Sequence, residues 1–195
     1  MASSTDFFYP LVDDPFIQGK IGAANVLSDL FAVGVFNIKQ VLMILGVSNA
    51  MTPIEQDVST KLMMEGFSET VQECGSQVVG GQTVINKWPM IGGTGIGFQC
   101  FYDNRFYSPV NAKVGDLLVL TKPLGNQMIV NFNQYYKLNN EKWKILKEKS
   151  GLTEQHVEDL YESCMRYMVR LNWNGAVLMI KYGATSSTDV TGFGI

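Results

Sequence analysis

The chain has 195 residues, 46% of them hydrophobic and 17% charged, with a formal net charge of −3. That length suits one large domain, or one domain and part of another, and it is enough to bury a sizeable core. The acidic balance and the lack of a long basic run exclude nucleic acid as the expected partner, and no apolar run approaches the roughly 20 residues of a membrane span.

Residues 1–4, MASS, carry no structural pattern and read as an expression remnant. STDFFYP reads as the end of a strand. A helix follows, with Asp14 as N-cap, Pro15 at its first position and Gly34 as its stop. QVLMILGV is an apolar run of buried-strand length. Thr52, Pro53 and Glu55 form a capping box, and the helix they open is predicted to run to Gly75. Its expected buried stripe is Ile54, Val58, Leu62, Met63, Phe67 and Val71. SQVVGGQT reads as a strand entering a glycine turn, and MIGGTGIGFQCF as a glycine-rich strand whose backbone approaches its neighbours closely. VGDLLVLTKPLG reads as a turn and a further strand over Leu117 to Leu120.

The texture then changes. Residues 126–182 are predicted to be mostly helical, including a solvated charged insertion, KLNNEKWKILKEKSG, and a helix from Leu152 to Leu171 capped by Thr153. ATSSTDVTGFGI is predicted as a strand followed by a turn. A boundary is placed at Lys122-Pro123. The fold class is α+β. Three cysteines, Cys74, Cys100 and Cys164, form no C-x-x-C pair, and no signal peptide precedes them, so a reduced, cytoplasmic compartment is expected.

The residues that carry chemistry are aspartates. The tripeptide Ser-Thr-Asp occurs at 4–6 and again at 187–189. Asp6 and Asp189 each precede apolar or glycine-rich sequence; taken singly, such a residue is more often a cap or turn residue. On the first helix Gly22, Asn25 and Asp29 share one small, polar face. That face is either a solvated surface or an amide and a carboxylate aimed together at a metal or phosphate. Several aspartates without a His or Cys cluster favour a hard cation such as Mg²⁺, and no zinc spacing competes. Gly80 to Thr83, GGQT, is either a plain β-turn or a phosphate-approaching turn with free N–H donors and the Thr83 hydroxyl. The single histidine, His156, is expected to be solvated in a helix's first turn. No Ser-His-Asp or Cys-His arrangement is present.

Five blocks in order resemble one family: TDFFYPLVDDPFIQGKIGAANVLSDLFAVGV, LMILGVSN, GGQTVINKWPMIGG, GDLLVLTKPLG and STDVTGFGI. The chain resembles the selenophosphate synthetases, or selenide, water dikinases, in their eukaryotic-type form, over nearly its whole length except about 131–160. The resemblance implies an aminoimidazole ribonucleotide synthetase-like first domain, a mixed sheet flanked by helices that joins a second copy in a dimeric barrel. It places that ATP- and metal-binding domain at 5–122 and the start of a second α+β domain at 123–195. It implies formation of selenophosphate, AMP and phosphate from ATP, selenide and water, with Mg²⁺ as metal. Carried over, Asp29, Asp189 and Asp6 match metal ligands. Thr5, Asp6, Asn25, Asp29, Gly80, Gly81, Gln82 and Thr83 match positions at the nucleotide, the GGQT turn serving the other subunit of a homodimer.

The family also has an upstream segment with a selenium-handling Cys or selenocysteine and a Lys. This chain has no counterpart, so it reads as a middle fragment, inactive alone, with no catalytic residue of its own. The alternative is a catalytically silent, nucleotide-binding regulatory paralogue.

Overall fold

The structure is a computed structural model; it describes residues 1–98 and 106–191. The chain order is β1 (Ala2–Phe8), α1 (Pro15–Ala32), β2 (Asn37–Ser48), α2 (Pro53–Glu73), β3 (Val78–Asn86), β4 (Met90–Phe98), α3 (Asn126–Lys137), α4 (Glu141–Ser150), α5 (Glu154–Val169) and α6 (Trp173–Lys181). The four strands form one mixed sheet in the order β1-β4-β2-β3. β4 runs antiparallel to both β1 and β2, and β3 runs parallel to β2.

The start of α1 follows from its sequence. The Asp14 carboxylate accepts from the Phe16 and Ile17 N–H groups, which the helix itself leaves unpaired. At its far end Gly34 has φ +84, the left-handed conformation that favours glycine. The Thr52–Glu55 capping box of α2 forms as its residues predict.

α1 and α2 cover one face of the sheet. They approach so closely that a Cβ on Gly19 would stand 2.1 Å from the Met63 carbonyl oxygen, and one on Gly66 would stand 2.0 Å from that of Phe16. The glycines of β4 serve the same purpose: side chains at Gly95 and Gly97 would collide with Leu30 and Val35. The resulting core of Val26, Leu27, Leu30, Val41, Phe67, Val71 and Ile91 is closed to solvent.

Several expectations are corrected. Ala2 to Ser4 are strand, pairing with Gly97, Ile96 and Gly95, so MASS is not featureless. Of the expected α2 stripe, Ile54 and Val58 are exposed, because the first two turns of α2 lie beyond the crossing with α1; Met63, Gly66, Phe67, Thr70 and Val71 carry the packing. Gly80 to Thr83 are not a turn but part of β3, pairing in continuous register with Leu42 to Leu45; the extra residue at the shift between Val41 and Leu42 is Val79, just before them. Gly81 has φ +151, and a Cβ there would meet the Met43 carbonyl oxygen, so glycine is required. Leu117 to Leu120 form no strand and are exposed: an apolar run becomes a strand only with a ladder partner, and none of the described residues supplies one. The ATSSTDV stretch likewise has no regular structure. Gln99 to Phe101, including Cys100, and the Gly192 to Ile195 turn lie outside the described residues.

The helical half matches its expectation more closely. α5 is capped by Thr153, and the exposed His156 completes a capping box, its N–H donating to the Thr153 hydroxyl and its ring accepting from the Thr153 N–H. The charged insertion is less solvated than predicted, because Trp143 of α4 is buried with its ring 5.4 Å from that of Tyr136.

Candidate functional site

Three aspartates from three distant points of the chain meet beside α1. Asp29 stands in the last turns of that helix. Asp6 comes from β1, at the edge of the sheet, on the strand face turned toward α1. Asp189 comes from the irregular segment after α6. Alternation along β1 places Ser4 and Asp6 on the same side, and the Ser4 hydroxyl lies 2.5 Å from Asp29 Oδ2 and 3.3 Å from Asp6 Oδ2. A hydroxyl has one proton to donate, and the geometry gives it to Asp29. The Ser28 hydroxyl donates to Asp189 Oδ2 at 2.8 Å.

The electrostatics reflect crowding. Burial, and next the facing Asp29 carboxylate, push the Asp6 carboxyl above its ordinary range; Asp189 adds to the push and Ser4 opposes it. Burial raises Asp189 as well, with Asp29 adding to the effect and the bond from Ser28 opposing it. Like charges held together resist ionisation, and a cation among them would relieve that cost. The donors are carboxylates and hydroxyls, without thiolate or imidazole, which is the chemistry of a hard cation. Among the described residues no three His, Cys, Asp or Glu side chains close around one ion unaided. A cation held here would need water or phosphate oxygens to complete its shell.

The other sequence-predicted residues divide. Asn25 lies one turn before Asp29 on α1 and is half-buried, on the side of the aspartates. Thr5 does not join them: its side chain is on the opposite face of the sheet, 2.9 Å from the Thr94 hydroxyl. Gly80 to Thr83 occupy β3, at the sheet edge opposite β1 and three strand spacings from it, roughly 14 Å. Within one chain they cannot share a ligand's phosphates with Asp6. Sequence reasoning missed Ser4 and Ser28. The only signal was their place immediately before Thr-Asp and Asp.

Residues 1–99 match the family described as AIR synthase related protein, N-terminal domain. The chain belongs to this family. Membership agrees with the architecture: thiamine monophosphate kinase from Aquifex aeolicus aligns over 97% of this chain and 58% of its own, with a TM-score of 0.69 at 17% identity, a likeness of fold. Among curated AIR synthase related proteins, the chain is 47% identical over its full length to a selenide, water dikinase of Dictyostelium discoideum, covering 52% of it. It is 46% identical to selenide, water dikinase 3 of Danio rerio, covering 42%. The chain thus spans about half the length of the curated relatives it matches. Among the described residues no helix is long and apolar enough to cross a membrane.

Proposed function

We propose that this chain carries the ATP- and metal-binding part of a selenophosphate synthetase, a phosphotransferase that converts ATP, selenide and water to selenophosphate, AMP and phosphate. The observation that carries the reading is the convergence of Asp6, Asp29 and Asp189 from β1, α1 and the segment after α6, in a chain close to half identical to two selenide, water dikinases. Asp29 is the central ligand, facing both of the others. Mg²⁺ bound there would offset the charge of the triphosphate. Asp29 and Asp189 hold the cation, Asp6 shares it, Ser4 orients Asp29 and Asp6, and Asn25 lies beside the phosphates. Holding the phosphates in line accounts for most of the protein's share of phosphoryl transfer, so small displacements of these side chains are costly.

Two further parts of the reading rest on the sheet. The face away from α1 and α2 exposes Phe7, Phe98 and Val84. Its other members, Thr94, Ile96, Leu42 and Ile44, are half-buried, and no helix among the described residues packs on it. β1 and β3 leave both sheet edges unpaired. A second copy covers this face in a homodimer, and Gly80, Gly81, Gln82 and Thr83 of one subunit then serve the nucleotide of the other. Thr5, on the shared face, supports the dimer rather than the metal. The chain divides near Lys122-Pro123.

The test is Asp29→Ala in the whole protein, assayed anaerobically with ATP, Mg²⁺ and selenide. Selenide-dependent AMP formation should fall more than about 100-fold, the scale on which losing one charge-stabilising group costs a transfer reaction. Turnover within a few-fold of the parent sinks the metal assignment. ATP binding without selenide-dependent AMP in the parent protein itself would make it a silent nucleotide-binding paralogue.

A further inference from the structure

Asp189 is the one member of the cluster without secondary structure to place it. Asp6 is fixed by the β1–β4 ladder and Asp29 by the hydrogen bonds of α1. The segment carrying Asp189 is irregular from Ala184 to Thr191. Its other side-chain anchors are Thr185 on the Asp116 carboxylate at 2.8 Å and Ser186 on the Ser108 carbonyl at 2.7 Å. Three residues of backbone separate Ser186 from Asp189, which at full reach is roughly 10 Å of slack. Against that slack, the bond that draws the Asp189 carboxylate to its place is the 2.8 Å one from the Ser28 hydroxyl, made across 161 positions of sequence; the facing Asp29 carboxylate adds repulsion.

Ser28 is well placed to act as a fixed point. It is 7% exposed, it precedes Asp29 on α1, and the core residues Val26, Leu27 and Leu30 hold that stretch of helix rigid. Its hydroxyl engages only one of the two carboxylate oxygens of Asp189. The Thr188 hydroxyl turns to the Asp189 backbone carbonyl instead, so it orients the peptide and not the carboxylate.

We infer that Ser28 is a positioning residue, which registers Asp189 against α1 so that a carboxylate from an irregular segment and one from a helix act as a single cation site. This rests on the reading of Asp29 and Asp189 as metal ligands. Ser28 does not touch the cation itself; it acts through Asp189.

The test is Mn²⁺ binding to the whole protein without nucleotide, followed by electron paramagnetic resonance of the free ion, for the parent and for Ser28→Ala, Asp189→Asn, their double variant and Asp29→Ala. Removing the partner that orients a ligand weakens metal affinity by about tenfold or more, so Ser28→Ala should bind that much less tightly. Asp189→Asn should weaken binding further, and Ser28→Ala should then add nothing to it. Ser28→Thr, which keeps the hydroxyl, should restore parental affinity. Circular dichroism of each metal-free variant separates positioning from folding; if Ser28→Ala does not fold, Ser28→Cys, with a similar volume and a poor donor, takes its place. Parental affinity in Ser28→Ala, or a tenfold loss that persists in the Asp189→Asn background, overturns the inference. If Asp29→Ala also binds Mn²⁺ as tightly as the parent, the metal reading has failed, and the role of Ser28 fails with it.

Discussion

Residues 1–98 and residues 106–191 solve the problem of stability differently. The first stretch sandwiches a sheet face against two helices and buries a continuous core in which Phe67, Val71, Val26 and Val41 are closed to solvent. In the second, Val130, Trp143, Val157 and Cys164 are separate small anchors on α3, α4 and α5, Ala176 of α6 joins the core of the first stretch, and Leu117 to Leu120 and Val114 lie open. A sheet face collects apolar residues from several strands into one layer. Short helices of mixed charge, such as α4, bury one residue each. The contrast reaches the candidate site: the carboxylates from the first region are held by regular structure, and the carboxylate from the second is held by a side-chain bond.

The sharpest way to break this contrast is to cut into each core. Phe67→Ala should lower unfolding free energy by about 4 kcal/mol, the usual cost of a large cavity in a packed core. Urea unfolding followed by far-ultraviolet circular dichroism checks this; a loss under about 1 kcal/mol would mean that the core relaxes far more than typical cores do.

Gly66→Ala should cost about 2–3 kcal/mol even though alanine is the better helix former by about 1 kcal/mol, because the added methyl meets the Phe16 carbonyl at 2.0 Å and the helices must move apart. A neutral or stabilising result in the same urea experiment would show that α1 and α2 do not approach as described.

In the second region Trp143→Ala should cost about 2 kcal/mol, less than a full core aromatic, since its ring packs against Tyr136 on a single neighbouring helix. Hydrogen exchange should localise the loss to α3 and α4. Exchange that rises equally in β2 would mean that the two regions are one cooperative unit.

His156→Ala should remove a capping-box partner for about 0.5 kcal/mol, with faster exchange confined to the first turn of α5. Uniform exchange across the helix would argue against the cap.

A pH-dependent effect is expected at the junction. Burial, with Arg170 adding repulsion, lowers Lys122 to about 8, while its ammonium donates to the Arg170 carbonyl. A lysine depressed in the folded state opposes folding while protonated. Stability should therefore rise with pH from about 8 toward the ordinary lysine range, where the unfolded chain holds the extra proton. Lys122→Met should flatten that rise between urea midpoints taken at pH 7.5 and 9.5, conditions on either side of the shifted value. An unchanged slope would assign the rise to another group.

Local chemistry made much of this legible beforehand. Asp14 with Pro15, and Thr52 with Glu55, announced the starts of α1 and α2, because caps are satisfied by residues next to the groups they serve. A short apolar run marked β2, a glycine-rich stretch marked β4, and Thr153 as cap marked α5. The aspartates stood out because a repeated Ser-Thr-Asp beside a small polar helix face is a pattern within the chain.

What sequence alone decided, then, was the identity of the elements and the chemical type of the donors. Only tertiary structure decided that Gly80 to Thr83 are part of a bulged edge strand, since a register shift exists only relative to β2. It also decided that Ile54 and Val58 face water, since burial depends on where α1 crosses. The same holds for Leu117 to Leu120, whose apolar character specified a strand but whose ladder required a partner. Thr5 and Asp6 are neighbours in sequence, yet pleating sends one to Thr94 and the other to Asp29. Ser28 and Asp189 are 161 positions apart, and nothing local couples them. Bonds within a turn or cap are written in adjacent residues; contacts between distant segments depend on how the chain closes its loops, which no single stretch encodes.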